Sequence, residues 1–404
     1  MAYSEASWGP YAVILALVGV LLALVPFQPQ SFGTVDFIQY WSAWRLISTG
    51  ANPYDPELLH ETQAALVANA PELVFSWNPP WTYTLLSPFL AFPFSIAAKL
   101  WCLSQVAILL VVAATGSKAL RAPPLSTVGA AFAALFFVPS LYSIRYGQLG
   151  TLFALALVCF LLCVNSRRYM LAGLSLLPLS VKPHLFILLV IPGVVWITQI
   201  PRESATRFIG GALGGFVALV GMTLVLAPDS LSWWITAATQ TTTSDFGLVH
   251  FERWQTHTMA TAVRALLDYA QGAAPRWPMV MIPATAFTLT SLYFWLRRPT
   301  IEWPHVLPPM ICLSIATSSY GWVYDQSALL LCNYLLFARV SRLTEKWIAV
   351  GFILAIISVQ TLPILLMSGM GLPPYSFFLL PWALLALLSL LSRSAARAGA
   401  SLGG

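Results

Sequence analysis

A dozen apolar runs at or near membrane length, parted by short polar stretches, limit what this chain can fold into more than any single motif does. Such runs bury themselves only in one another or in lipid. With 58% hydrophobic and 8% charged residues there is too little polar surface to cover a water-soluble domain, where about 25% charge is usual. The expected class is an all-α polytopic membrane protein. The net charge of +6 calls for no nucleic-acid partner, because most of the basic excess follows the topology described below.

Membrane helices need roughly 17 to 25 apolar residues, and shorter runs need burial in protein or a re-entrant path. On that basis helices fall near 11–28, 96–117, 126–142, 149–164, 170–181, 184–199, 207–227, 277–296, 304–318, 322–338, 346–363 and 374–391. The first has no basic flank and no good cleavage site, so it reads as a retained helix. The run 79–92 is bracketed by prolines and reaches about 21 Å if helical, which predicts a juxtamembrane or re-entrant helix that returns to its starting side. With twelve crossings and both termini inside, thirteen of the twenty Lys and Arg face the cytoplasm and ten of the fourteen Asp and Glu face outward, as short loops should. The chain then reads as one membrane domain, 1–404, in the plasma membrane. Two outer segments, 29–95 and 228–276, fold back onto the bundle and roof a cavity.

Polar groups at membrane depth are costly and mark sites or pathways. Asp36 opens a stretch with Tyr40, Arg45, Tyr54 and Asp55, and the aromatic and aliphatic residues from Phe37 to Ile47 predict a short helix lying in the membrane interface. The plain alternative makes Asp36 only the N-cap of that helix. Arg145-Tyr-Gly-Gln148 sits between apolar runs, where Arg145 either snorkels to headgroups or joins Gln148 at a cavity mouth. Lys182-Pro-His184 breaks a helix, and such a break is tolerated where it is buried in protein or lines a cavity. Tyr324-Asp325 follows a Ser-Ser-Tyr-Gly-Trp run that would also serve as an aromatic belt. His257, with Arg253 before it, belongs to the second outer segment as a lid candidate.

No Cys or His spacing suits a metal, and no Gly-rich or Walker phosphate motif is present, so neither a metal nor a cofactor is expected. One carboxylate base with Arg and Lys nearby suits transfer of a sugar from a lipid phosphate: the departing phosphate needs cations more than a proton donor, and the base takes the acceptor's proton. A transporter or flippase for lipid-linked sugars is the competing class. It predicts an inverted repeat, which the sequence does not display.

Asp36 with Tyr40, Gly50-Ala-Asn-Pro-Tyr54, Asn78-Pro-Pro, Ser87-Pro88, Phe92-Pro93, Gly147-Gln148 and Ala172-Gly173 leading to Lys182-Pro183 together resemble glycosyltransferase family 87, over roughly residues 10–340. The resemblance implies a GT-C type bundle, a polyprenyl-phosphate hexose donor with mannose foremost, inverting transfer to a lipid or glycan acceptor on the exoplasmic face, and no obligatory metal. It makes Asp36 the general base and places Gly147-Gln148 and Lys182-Pro183 in the lining of the donor cavity, to which the residue reading adds Arg145 and His184 as donor-phosphate candidates. Tyr40, Arg45, Tyr54, Asn78, Arg253, His257, Tyr324 and Asp325 are then acceptor or lid candidates. Mycobacterial members carry a late Ser-Trp-x-His-His type motif where this chain has Gly321-Trp-Val-Tyr324-Asp325. The histidine's role passes to Tyr324, Asp325 or His257, or is absent.

Overall fold

The computed structural model describes residues 8–24, 36–66, 74–240, 256–271, 277–343, 345–370 and 377–401, and among these the regular structure is entirely helical. Arg253, 25–28 of the first expected helix and 374–376 of the last lie outside the described residues. In chain order the helices are α1 (Gly9–Leu24), α2 (Phe37–Ser48), α3 (Pro56–Ala64), α4 (Trp81–Leu90), α5 (Phe94–Ala119), α6 (Thr127–Leu135), α7 (Val138–Tyr146), α8 (Gly150–Asn165) and α9 (Tyr169–Ser175). They continue as α10 (Val190–Gln199), α11 (Arg202–Ile209), α12 (Gly215–Leu226), α13 (Ser230–Gln240), α14 (Met259–Gln271), α15 (Pro278–Arg297), α16 (Trp303–Thr317), α17 (Leu330–Val340), α18 (Lys346–Met370) and α19 (Leu379–Ser401).

Among the described residues four helical stretches are long and apolar enough to cross a membrane by themselves: α5, α11 with α12, α15, and α18 to Leu365. The pair α6 and α7 makes a fifth if its 58° bend is counted within one span. The other apolar helices are shorter, so the expected twelve crossings exceed what length and composition alone certify.

Three breaks depart from a simple bundle. The helix expected over 126–142 is instead two, bent at Phe136-Phe137, and α7 runs on to Tyr146. Between α11 and α12 the turn Gly210–Gly214 widens to a π-helix. Here Gly211 lies against the backbone of Met170, while Gly173 lies against the backbone of Phe208 and Ala212. The small residues let α9 approach this kinked span closely. Between α9 and α10 the chain runs through short 3-10 turns, Leu177–Val181, Pro183–Leu185 and Ile187–Leu189, with Lys182 at the first junction. Pro178 and Pro183 lack the N–H that continuous α-helix needs, so the break expected at Lys182-Pro183 is present.

The first loop builds one wall of the site. Asn52 accepts the Tyr54 N–H at 3.0 Å, and Asp55 caps α3 by accepting from the N–H groups of Glu57 and Leu58. Pro56 opens that helix, where an absent N–H costs nothing. Gln63 then bonds both the N–H and the C=O of Val74, tying 74–80 back to α3. Helix α2 departs from expectation: Phe37, Tyr40, Ala43, Leu46 and Ile47 are buried inside the protein, and Trp41 and Trp44 are partly covered. Its rings pack against α4, α5 and the rest of the bundle rather than lying in the interface.

Gly150 shows how tightly the site is drawn together. A Cβ there would collide with the backbone oxygen of Tyr324 and crowd Ser327 Oγ. Gly150→Ala is therefore expected to push α8 from the Val323–Leu329 turn and destabilise the protein by about 1–3 kcal/mol. A thermal midpoint equal to wild type in detergent would contradict that close approach.

Candidate active site

A polar-lined cavity of about 430 Å³ opens between the first loop, α7, the Lys182 break and the turn before α17. Asp36, Gln39, Asn78, Gln148, Lys182 and His257 supply its polar lining. Phe75, Trp77, Tyr142, Tyr146, Tyr320, Trp322, Tyr324 and Phe377 supply most of the remainder. Volume, concavity and a few convergent polar groups on aromatic walls are the marks of a small-ligand site.

Asp36 is held by α7 and the turn that follows it. Its N–H donates to the C=O of Tyr146 at 2.9 Å. Gln148 Nε2 donates to Asp36 Oδ2 at 2.8 Å, and Tyr40 Oη donates to Gln148 Oε1 at 2.7 Å. That chain of bonds depends on Gly147, which ends α7 in the left-handed region at φ 72° and turns Gln148 inward. Trp101 of α5 secures the turn by donating from Nε1 to Gly147 O at 2.9 Å. The Asp36 side chain makes no capping bond to α2. The cap reading therefore does not account for the carboxylate.

Asp36 precedes α2, outside the spanning helices, and it is open to the cavity but deep in surrounding protein. Burial raises its pKa from 3.8 to about 6. Hydrogen bonds from Gln148 and Tyr324 and the charge of Lys182 pull the other way, while Asp325 adds to the rise. Tyr40, also outside the spanning helices, is pushed well above its usual value, by burial first and then by the Asp36 and Asp325 charges. It stays a neutral donor to Gln148.

Lys182 Nζ lies 2.7 Å from Asp325 Oδ1, with both side chains buried. Asp325 Oδ2 in turn accepts the Trp322 N–H at 3.0 Å, and Lys182 Nζ sits 5.1 Å from the centre of the Tyr324 ring. Lys182 faces the cavity as its one cationic lining residue among those described. Asp325 stands behind it and does not line the opening.

The other expected residues separate by position. Asn78, Gln148, His257 and Tyr324 line the cavity with Asp36 and Lys182. Tyr40 acts one bond back, through Gln148. Tyr54 supports the wall, donating to Asn78 O at 2.8 Å. Arg145, expected to hold the donor phosphate, is instead exposed, 6.0 Å from the Tyr146 ring, and does not line the cavity. An arginine in the last turn of α7 points away from the face that carries Tyr142 and Tyr146. Arg45 is likewise exposed, on the face of α2 turned from the protein. His184 does not line the cavity either: its ring stacks on Tyr320 at 4.0 Å.

His257 lies in the 228–276 segment, its N–H donating to Gly321 O at 2.7 Å and its C=O accepting from Gln326. Burial lowers its pKa from 6.5 to about 3, so the imidazole is neutral. Its Nδ1 has no partner among the described residues. Among the described residues no group of three His, Cys, Asp or Glu is placed to hold a metal. Tyr142, Tyr146, Phe75 and Phe377 were not singled out by the sequence. Tyr142 and Tyr146 share a helix face at i and i+4, a signal that was there to read. Phe377 carries none.

Apolar helices long enough to cross a membrane, around an internal polar cavity with a carboxylate and an ion-paired lysine at its wall, define a multi-pass membrane protein. The particular family follows from the sequence itself. The profile of glycosyltransferase family 87 matches residues 77–303, more than half of the chain, and the protein belongs to that family. It is therefore a glycosyltransferase, as the motifs around Asn78, Gln148 and Lys182 implied. The matched region contains these three residues and His257 but not Asp36 or Tyr324. No curated protein matches the chain. A similar solved structure is that of ArnT from Cupriavidus metallidurans bound to undecaprenyl phosphate, at 16% identity and a TM-score of 0.42, covering 96% of this chain and 72% of that one.

Proposed function

We propose that the protein moves a hexose from a polyprenyl phosphate to a lipid or glycan acceptor, with inversion and with Asp36 as general base. The observation that carries this reading is the Asp36 carboxylate, aimed by Gln148 at an aromatic-walled cavity that also presents Lys182. The acceptor hydroxyl gives its proton to Asp36 as its oxygen bonds to the anomeric carbon. The bond from that carbon to the phosphate oxygen breaks, and the electron pair leaves on the lipid phosphate. A carboxylate has about four lone-pair positions, so the bonds from Gln148 and Tyr324 leave room for the acceptor's proton. A base titrating near the working pH serves proton transfer best. In this reading Lys182 meets the phosphate, and the charge it offers is greatest if Asp325 yields to the ligand. Asn78 and His257 remain acceptor contacts in this reading.

The cavity belongs to the exoplasmic side of a GT-C type bundle of about twelve crossings in the plasma membrane, with cytoplasmic termini, and the fold works as a single domain without metal or cofactor. The test is transfer of labelled hexose from synthetic polyprenyl phosphates, mannose first and then glucose, galactose and arabinose, to extracted lipids and glycans. Labelled product is expected with one donor, and its rate should fall as pH drops through about 6, where Asp36 takes up a proton. No product with any donor, alongside movement of the labelled lipid across proteoliposomes, would replace the transferase mechanism with that of a flippase.

A further inference from the structure

Two side-chain amides sit in helices that otherwise read as apolar, Asn333 in α17 and Gln360 in α18, both buried. Burying an amide away from water costs several kcal/mol unless it is hydrogen-bonded (about 4–8 on a hydrocarbon scale). These two are bonded to each other and to the break between α6 and α7. Gln360 Oε1 accepts the N–H of Val138, the first residue of α7, at 3.3 Å. Gln360 Nε2 donates to Asn333 Oδ1 at 3.0 Å, and Asn333 Nδ2 donates to the C=O of Ala133 in α6 at 2.8 Å. An orphaned N–H beyond the bend is thus joined to an orphaned C=O before it, through two amides that replace the helical bonds lost at Phe136-Phe137. Pro139, which has no N–H, prevents the ladder from closing by itself. At membrane depth a broken helix needs such internal partners.

What lies beyond the bend is the site. Helix α7 carries Tyr142 and Tyr146 on the cavity wall, accepts the Asp36 N–H at Tyr146 O, and ends in the Gly147 turn that delivers Gln148 to the carboxylate. The direction of α7 therefore sets where Asp36 and its partner stand. We propose that Asn333 and Gln360 are positioning residues of the transfer reaction: their amide strap holds the 58° bend, and through it the place of Asp36 at the cavity. The role of the strap rests on the assignment of Asp36 as base. The strap touches neither substrate nor the reacting atoms, and a misplacement of about 1 Å at the reacting groups is enough to cost on the order of a hundredfold in rate.

The experiment compares Gln360→Met and Asn333→Leu, which keep volume but lose the amide, with Tyr334→Phe. The last removes buried bonds from Tyr334 Oη, on α17, to Ala113 O and Ser117 of α5 without touching the bend. All three are measured as full-length protein in detergent for thermal midpoint, for kcat and donor KM with the active hexose donor, and for hydrogen exchange over 136–148. The strap variants are expected to lose about a hundredfold in kcat with donor KM changed less than threefold, and to exchange faster over 136–148. Tyr334→Phe should show a comparable fall in thermal midpoint with kcat and exchange in that segment unchanged. Wild-type kcat in Gln360→Met, or equal loss in Tyr334→Phe, overturns the positioning role. A wild type that transfers from no donor overturns the base assignment and the strap's role with it, whereas an active wild type beside fully active strap variants overturns the strap alone.

Discussion

Asp36→Asn should transfer no detectable sugar, a loss of at least about a thousandfold given what a positioned general base contributes, and it should melt at a higher temperature than wild type. Both effects come from one cause. Burial holds the Asp36 pKa at about 6 against 3.8 in the unfolded chain, so the ionised group is costly to keep in the folded protein. The difference corresponds to about 3 kcal/mol. The sign follows from linkage: the folded state holds the proton more tightly, so this group's contribution favours folding below pH 3.8 and is lost as pH rises through about 6. Asparagine accepts the Gln148 bond without carrying charge, so the variant should gain most in melting temperature at neutral pH and little at pH 4. Measured transfer in Asp36→Asn would end the assignment of the base. A melting gain that does not depend on pH would show that the carboxylate is not strained by burial.

Lys182→Met is the second large effect, and its stability component can be separated from its chemical one. Lys182 and Asp325 form a buried pair, and removing one partner of such a pair typically costs about 3–5 kcal/mol because the other charge is left without compensation. The single variant is therefore expected to express poorly and melt early. Lys182→Met combined with Asp325→Asn removes both charges, and the asparagine oxygen still accepts from the Trp322 N–H. This double variant should recover most of the melting temperature while its apparent affinity for the polyprenyl-phosphate donor stays at least tenfold weaker than wild type. Recovery of both stability and donor affinity would make Lys182 a structural counter-ion only. Failure of the double variant to recover stability would point to the Lys182 contact with the Tyr324 ring as the larger stabilising interaction.

The positions of the helices were legible because lipid imposes a simple rule: long apolar runs become helices, and Pro or Gly interrupts them. The breaks near Pro183 and after Tyr146 follow from that rule. The bend at Phe136-Phe137 follows from it only in part, through the N–H that Pro139 lacks. The run of Ala, Leu and Phe before that proline is as helical as its neighbours, and the geometry depends on Asn333 and Gln360 from helices two hundred or more residues onward. Side-chain direction was the other loss. Arg145 has the charge expected of a phosphate site and Arg45 that of an acceptor contact, but a helix presents a residue to the cavity or away from it according to how the helix is rotated. Tyr142 and Tyr146 took the inward face of α7, and Arg145 the outward one. The aromatic surface of α2 suited the membrane interface equally well on composition. Packing against α4 and α5 placed its rings inside the protein instead.

By itself the sequence determined the membrane class, the helical composition, the family and the presence of a rare carboxylate, a Gly-Gln turn and a Lys-Pro break. These follow from local chemistry: hydropathy, the φ that Gly147 supplies, the N–H that Pro183 lacks, and the cost of charge in lipid. The tertiary structure alone decided that Asp36 rests on Gln148 and Tyr146 rather than capping its own helix, that Lys182 is already paired with Asp325, and that both arginines face away. Each of those outcomes joins residues about a hundred or more positions apart in the chain or depends on the rotation of a helix. Such relations are set when the helices pack, because only then does one burial or hydrogen bond compete with another for the same place.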